Sequence, residues 1–169
     1  KEAKDLKPGD TLISVDFPVI ENSDKLDHAY THGVYCGDGS HNQPNYRCVT
    51  LYKKKKCVLS RLTGHKVIKE NNKDNGILVR IIADIPTKFY VPINSDIQSK
   101  LDFLAGILDT DGSVYENKKH KSSVVLRVAN TNRSFLSDIK SLLSTSCINS
   151  NLNISTKEST HTFKKRNGI

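Results

Sequence analysis

No stretch of this 169-residue chain approaches the roughly 20 consecutive apolar residues that a membrane-spanning helix needs. Nor does a secretory signal or transit sequence stand at its start, so we expect an intracellular location, in cytoplasm or nucleus. The four cysteines, Cys36, Cys48, Cys57 and Cys147, show no Cys-x-x-Cys spacing, which argues for reduced thiols rather than a disulfide framework. His32 and Cys36 lie one helical turn apart and could hold zinc, but that face is also needed to pack a helix.

Acidic residues are the scarcer charge. Against 18 Asp and Glu there are 26 Lys and Arg, a formal net charge of +8. A basic surplus of this size favours a polyanionic partner, and for a chain of this kind that means nucleic acid first. The length suits one pseudo-symmetric domain or two small ones.

Residues 101–113, Leu-Asp-Phe-Leu-Ala-Gly-Ile-Leu-Asp-Thr-Asp-Gly-Ser, carry the most information. Leu101, Leu104, Ala105 and Leu108 recur at helical spacing and run directly into Asp109, Asp111 and Gly112. Carboxylates at the end of a buried helix sit where the backbone carbonyls already carry partial negative charge. A divalent cation reverses that unfavourable arrangement. Residues 26–40 hold a weaker copy on the pattern Gly-x-x-x-x-Asp-Gly-Ser, which aligns Gly33 with Gly106, Asp38 with Asp111 and Gly39 with Gly112. Gly33, Gly106 and Ala105 would let two such helices approach closely, bringing Asp38 and Asp111 together at one end of the seam.

Residues 104–112, Leu-Ala-Gly-Ile-Leu-Asp-Thr-Asp-Gly, resemble the signature helix of the LAGLIDADG homing endonucleases, with Thr110 in place of Ala. The upstream copy is similar but degenerate: Thr31 and His32 replace Leu-Ala, and Cys36 stands where the first, non-catalytic Asp usually lies. The resemblance implies an α+β fold, a pseudo-symmetric pair of αββαββα repeats. It also implies that the last Asp of each motif, Asp38 and Asp111, is a metal ligand and catalytic. Carbonyls of Gly37 and Thr110 and phosphate oxygens would complete an oxygen-rich sphere for Mg²⁺ or Mn²⁺. Intein-type members place a Lys shortly before an Ile/Val-Pro, and Lys88, in Thr-Lys-Phe-Tyr-Val-Pro (87–92), is the closest match, shifted by about one residue.

The remaining elements fit two repeats. Residues 46–52 alternate as a strand with Val49 and Leu51 on one face, and a short helix is expected over 55–62. Strands over 66–70 and 77–82 are joined through Lys-Asp-Asn-Gly (73–76), a hairpin signal. A second hairpin spans 113–117 and 123–130, followed by an amphipathic helix over 132–145 with Phe135, Ile139, Leu142 and Leu143 inward. Lys-Asp-Asn-Gly-Ile (73–77) is echoed by Lys-Arg-Asn-Gly-Ile at 165–169, so the second repeat is expected to lack its last strand and terminal helix.

In the second half, alternation points Val124, Leu126 and Val128 inward and Ser123, Val125, Arg127 and Ala129 outward. Arg127 could read a guanine through two hydrogen bonds. Ser123 shares its face. Lys118, Lys119 and Lys121 at the hairpin tip suit phosphate contacts, as do Lys53, Lys54, Lys55 and Lys56.

Residues 1–14 read as a turn at Pro8, Gly9 and Asp10 leading into a strand. Ala-Lys-Asp-Leu-Lys-Pro-Gly-Asp (3–10) is similar to a segment of intein splicing domains. Lys1 is no splicing nucleophile and the sequence ends at Ile169 rather than in the His-Asn that precedes an intein's downstream junction, so the chain is not expected to splice unaided. The organisation we expect is a splicing-domain-like lead-in over 1–23, a first repeat over 24–98 and a truncated second over 99–169. The implied activity is metal-dependent cleavage of a long asymmetric duplex by a monomer, with no homodimer required and no membrane. A complementing C-terminal segment or the intein splicing domain is a further possible partner. Two alternatives stay open: a decayed domain that binds DNA or only supports splicing, and an RNA maturase on the same fold. Salt-dependent binding to duplex DNA against structured RNA separates them.

Overall fold

Apolar spacing interrupted by single glycines gives two helices, α1 (Ala29–Asp38) and α2 (Ile97–Asp111), that lie against each other in the same direction. The computed structural model describes residues 3–11, 19–20, 22, 24–40, 46–71, 75–116 and 124–154. Both helices start in polar sequence, and α2 is capped by Asp96, whose carboxylate accepts from the Ser99 amide at 2.6 Å. Where they cross, Gly33 meets the backbone of Phe103, Gly106 and Ile107, while Gly106 meets that of Tyr30 and Val34. A Cβ on Gly33 would strike the Phe103 carbonyl, and one on Gly106 the Tyr30 carbonyl. One turn on, a Cβ on Gly37 would overlap Thr110 and lie 3.5 Å from the Asp111 carboxyl carbon.

After α1 the chain forms β1 (Gly39–Ser40), β2 (Cys48–Tyr52), a 3-10 helix (Lys53–Arg61), β3 (His65–Asn71) and β4 (Gly76–Ile81). The strands make one antiparallel sheet in the order β1-β2-β4-β3, with Val49 opposite Val79 and Leu51 opposite Ile77. Those four side chains, with Ile81, form its inner face and close on Tyr30, Val34, Val58, Leu62 and Ile85. The second half repeats the motif: α2 runs into β5 (Gly112–Glu116), which pairs with β6 (Val124–Val128), and α3 (Arg133–Thr145) follows. Asn132 caps α3 by accepting from the Phe135 amide at 3.1 Å. Phe135, Ile139 and Leu142 bury against Ala29, Cys36, Phe103, Leu104 and Ile107. The fold is a mixed α+β arrangement of helices on antiparallel sheets, matching the expected LAGLIDADG architecture.

Some expectations change in detail. The helix expected over 55–62 is a nine-residue 3-10 helix beginning two residues earlier, at Lys53. Its three-residue turn stacks residues i and i+3, so Lys55, Val58 and Arg61 share one face, with Val58 as the buried anchor. Val124 and Leu126, expected inward, are each 61 % exposed, and Val114 on the same face is 65 % exposed. Val125, expected outward, is exposed as well, so burial does not separate the two faces that alternation assigned; among the described residues β6 has no strand beyond it and only Val128 reaches the core. The turn at Pro8 and Gly9 is present, with the Asp10 amide donating to the Lys7 carbonyl at 3.0 Å. The strand expected after it, the 118–123 tip and the 165–169 echo lie outside the described residues.

His32 and Cys36 face the seam. The His32 ring shares a 2.9 Å hydrogen bond with the Tyr90 carbonyl and a 3.6 Å contact with the Cys36 sulfur. Its Nδ1 is buried without a hydrogen-bond partner among the described residues. Burial pulls the imidazole down to about 4 and pushes the Cys36 thiol up to about 12, so both side chains are neutral packing elements near pH 7.

Two outcomes follow for stability. Gly106→Ala should lower unfolding free energy by about 3 kcal/mol in urea titrations, because the backbone it would strike cannot move aside. His32 binds a proton more readily unfolded than folded, so its contribution is full above pH 6.5 and is lost on acidification. Between pH 6.5 and about 4 this costs about 3 kcal/mol. The urea midpoint should therefore fall more steeply over that window in the native chain than in His32→Gln; equal slopes would contradict the assignment.

Candidate active site

The C-terminal ends of α1 and α2 carry the chemistry. Each helix ends on an Asp-Gly, whose amide caps it by donating back to Tyr35 or Leu108. The carbonyls of Gly37 and Thr110 lie in those last turns, where a helix has run out of its own amide donors. Asp38 and Asp111 project from the two ends into one space. Burial first, and then the neighbouring Asp38 carboxylate, raise the Asp111 carboxyl above the usual range, while Lys55, Asn130 and Lys88 pull it back.

Two lysines reach the same space from different elements. Lys88, in the loop after β4, donates to the Gly39 carbonyl at the end of α1. Lys55, on the 3-10 helix, donates to both Asp38 oxygens, at 2.7 and 2.8 Å. Sequence reasoning set Lys55 among phosphate-facing lysines; the structure turns it inward onto Asp38. The stacking of Lys55 with Val58 in a 3-10 helix is the cause, and a linear reading of Lys-Lys-Lys-Lys could not distinguish it from its neighbours.

Asp109 behaves differently from Asp111. Its carboxylate accepts from the Tyr30 hydroxyl at 2.7 Å and from Arg61 at 2.6 Å, and the Arg61 guanidinium lies 4.1 Å over the Tyr30 ring. Burial and the Asp109 hydrogen bond raise the Tyr30 phenol, which stays protonated. Asp109 thus ties α2 to α1 and to the 3-10 helix and points away from the Asp38–Asp111 space. Its counterpart in the first copy is Cys36, buried in the seam, so the departure of that copy from the motif leaves the carboxylate pair intact.

The proposed DNA contacts are less enclosed. Lys53 and Lys54 are exposed, and Lys56 donates to the Asn75 side chain at 2.6 Å. Arg127 is exposed on the β5–β6 hairpin with its guanidinium 4.1 Å over the Tyr115 ring. Lys118, Lys119, Lys121 and Ser123 lie outside the described residues.

The donor set suits a hard divalent cation. It consists of two carboxylates and helix-end carbonyls, and a lysine ammonium already rests on one carboxylate where a positive charge is called for. Among the described residues no group of three His, Cys, Asp or Glu side chains forms a metal cluster, so phosphate oxygens or water would have to contribute further ligands.

Comparison with known proteins gives a family match over part of the chain. Residues 98–167 match the LAGLIDADG-like domain family. Over 144 residues the chain is 33 % identical to the ribonucleoside-diphosphate reductase large subunit of Invertebrate iridescent virus 6, covering 84 % of this chain and 15 % of that protein. No solved structure matches. The family match supports a nuclease-type domain of the homing endonuclease or a related DNA-binding kind. Among the described residues no helix is long and apolar enough to cross a membrane.

Asp109→Ala should cost about 1–2 kcal/mol in urea unfolding, since it strands the Tyr30 hydroxyl and the Arg61 guanidinium. Mn²⁺ binding by the variant should match the native chain. A loss of metal binding without a loss of stability would reverse the division of roles between Asp109 and Asp111.

Proposed function

We propose that this chain is the endonuclease domain of an intein and hydrolyses both strands of a long, asymmetric DNA duplex as a monomer. The convergence of Asp38 and Asp111 at the ends of two glycine-packed helices, flanked by Lys55 and Lys88, carries this reading. Asp38, Asp111 and the carbonyls of Gly37 and Thr110 would hold Mg²⁺ or Mn²⁺, which supplies positive charge to activate water and stabilise the leaving oxygen. Lys88, whose ammonium donates to the Gly39 carbonyl at the end of α1, would hydrogen-bond a phosphate oxygen and offset the charge that builds up on it. Arg127, whose guanidinium lies 4.1 Å over the Tyr115 ring, would offer a planar fork to a guanine edge, Ser123 would be a further base contact, and Lys53, Lys54, Lys118, Lys119 and Lys121 would set register through phosphates.

Two observations support the intein setting. The relative is a reductase subunit, and the chain spans only 15 % of its length. A nuclease-type domain has no evident part in reducing a ribonucleotide, so an inserted element explains the match. Residues 3–10 add the splicing-domain-like segment. The uncovered Val114, Val124 and Leu126 favour a further segment, from the intein or its splicing domain, that covers the second sheet. The boundaries 1–23, 24–98 and 99–169 are part of this proposal.

Plasmid cleavage tests it. The native chain should make discrete double-strand cuts in candidate insertion sites with Mg²⁺ and none with EDTA. Asp38→Asn and Asp111→Asn should each lower cleavage about 100-fold or more while duplex affinity in filter binding changes little. Undiminished cutting by either variant would overturn the site. Salt-sensitive duplex binding without cutting would leave the decayed-domain alternative, and preference for structured RNA the maturase.

A further inference from the structure

Lys55 flanks the proposed site but has been given no part in the proposed reaction. Its ammonium covers both oxygens of Asp38, whose side chain is only 19 % exposed. A carboxylate has about four lone-pair sites, and an ammonium bridging both oxygens takes those that face it. A divalent cation would need the same sites and would meet a positive charge at contact distance. Asp111 is not held in this way: among the described residues no cation lies within ion-pair distance of it. The two carboxylates therefore differ in readiness.

Lys55 has somewhere else to go. Its side chain is 38 % exposed on a flexible four-carbon stem. It projects from a run of four lysines in which Lys53 and Lys54 already face solvent. A phosphate backbone laid along that run would offer its ammonium an anion of equal strength outside the site.

We infer that Lys55 is an internal cation that closes the Asp38 half of the site until a DNA phosphate draws it away, so that metal loading at Asp38 is coupled to DNA binding. Lys55 is a positioning residue, and the idea rests on the metal-site reading above. By reciprocity, whatever factor DNA adds to metal affinity through Lys55, metal adds to DNA affinity.

Mn²⁺ binding, followed by electron paramagnetic resonance of the free ion, reads this directly. Without DNA, Lys55→Met should bind Mn²⁺ about tenfold more tightly than the native chain, about 1.4 kcal/mol. Lys55→Arg, which keeps the charge, and Lys140→Met, which removes one exposed charge from α3, should match the native chain. A short random-sequence duplex should raise Mn²⁺ affinity about tenfold more in the native chain than in Lys55→Met. Circular dichroism melts would establish that each variant is folded. If Lys55→Met binds Mn²⁺ no more tightly than the native chain while Asp38→Asn weakens it, the metal site stands and the Lys55 closure is wrong. If Asp38→Asn and Asp111→Asn both bind Mn²⁺ as the native chain does, the site reading itself falls.

Discussion

The contact between the backbones of α1 and α2 is the constraint on which the rest depends. Gly33 and Gly106 remove the side chains that would hold the helices apart, and carbonyls and amides of each helix touch the other. Because the helices run in the same direction, their C-terminal ends finish side by side, with partial negative charge on both. Asp38 and Asp111 add two carboxylates to that end. Such a concentration of negative charge is unfavourable alone, and the fold sets against it Lys55 from the 3-10 helix and Lys88 from the loop after β4.

Around that seam the two halves divide their tasks unequally. The first half is a covered four-stranded sheet with Val49, Leu51, Val79 and Ile81 inside. In the second half the described sheet has two strands, and α3 supplies most of the burial through Phe135, Ile139 and Leu142. The acidic residues divide similarly. Asp109 is used up in holding Tyr30 and Arg61, which explains how Cys36 can replace its counterpart without loss to the carboxylate pair. A neutral, buried thiol also avoids placing a third carboxylate in the seam.

The helices and the pairing of β3 with β4 were legible in sequence because local spacing determines them. The approach of the helices was legible too, since glycines at matched positions of two similar helical runs mark where two backbones can touch. The 3-10 geometry of residues 53–61 was not, because four lysines in a row carry no periodicity and the stacking of Lys55 with Val58 and Arg61 comes from packing. The same holds for the solvated state of Val124 and Leu126: alternation assigns a face, while tertiary structure decides whether anything lies against it. Lys100 is the sharpest miss. It is fully buried on α2, donating to the Ile20 carbonyl at 2.7 Å, a contact between residues 80 positions apart that no local pattern announces.

The central claim is that the two helix ends form one metal-binding site, and a Mn²⁺ titration of the isotope-labelled chain by nuclear magnetic resonance tests it most directly. Paramagnetic broadening should appear first at the amides of Gly39 and Gly112 and decay with distance from them along both helices. Broadening that begins elsewhere, or at one helix end while the other stays sharp at saturating metal, would contradict a shared site.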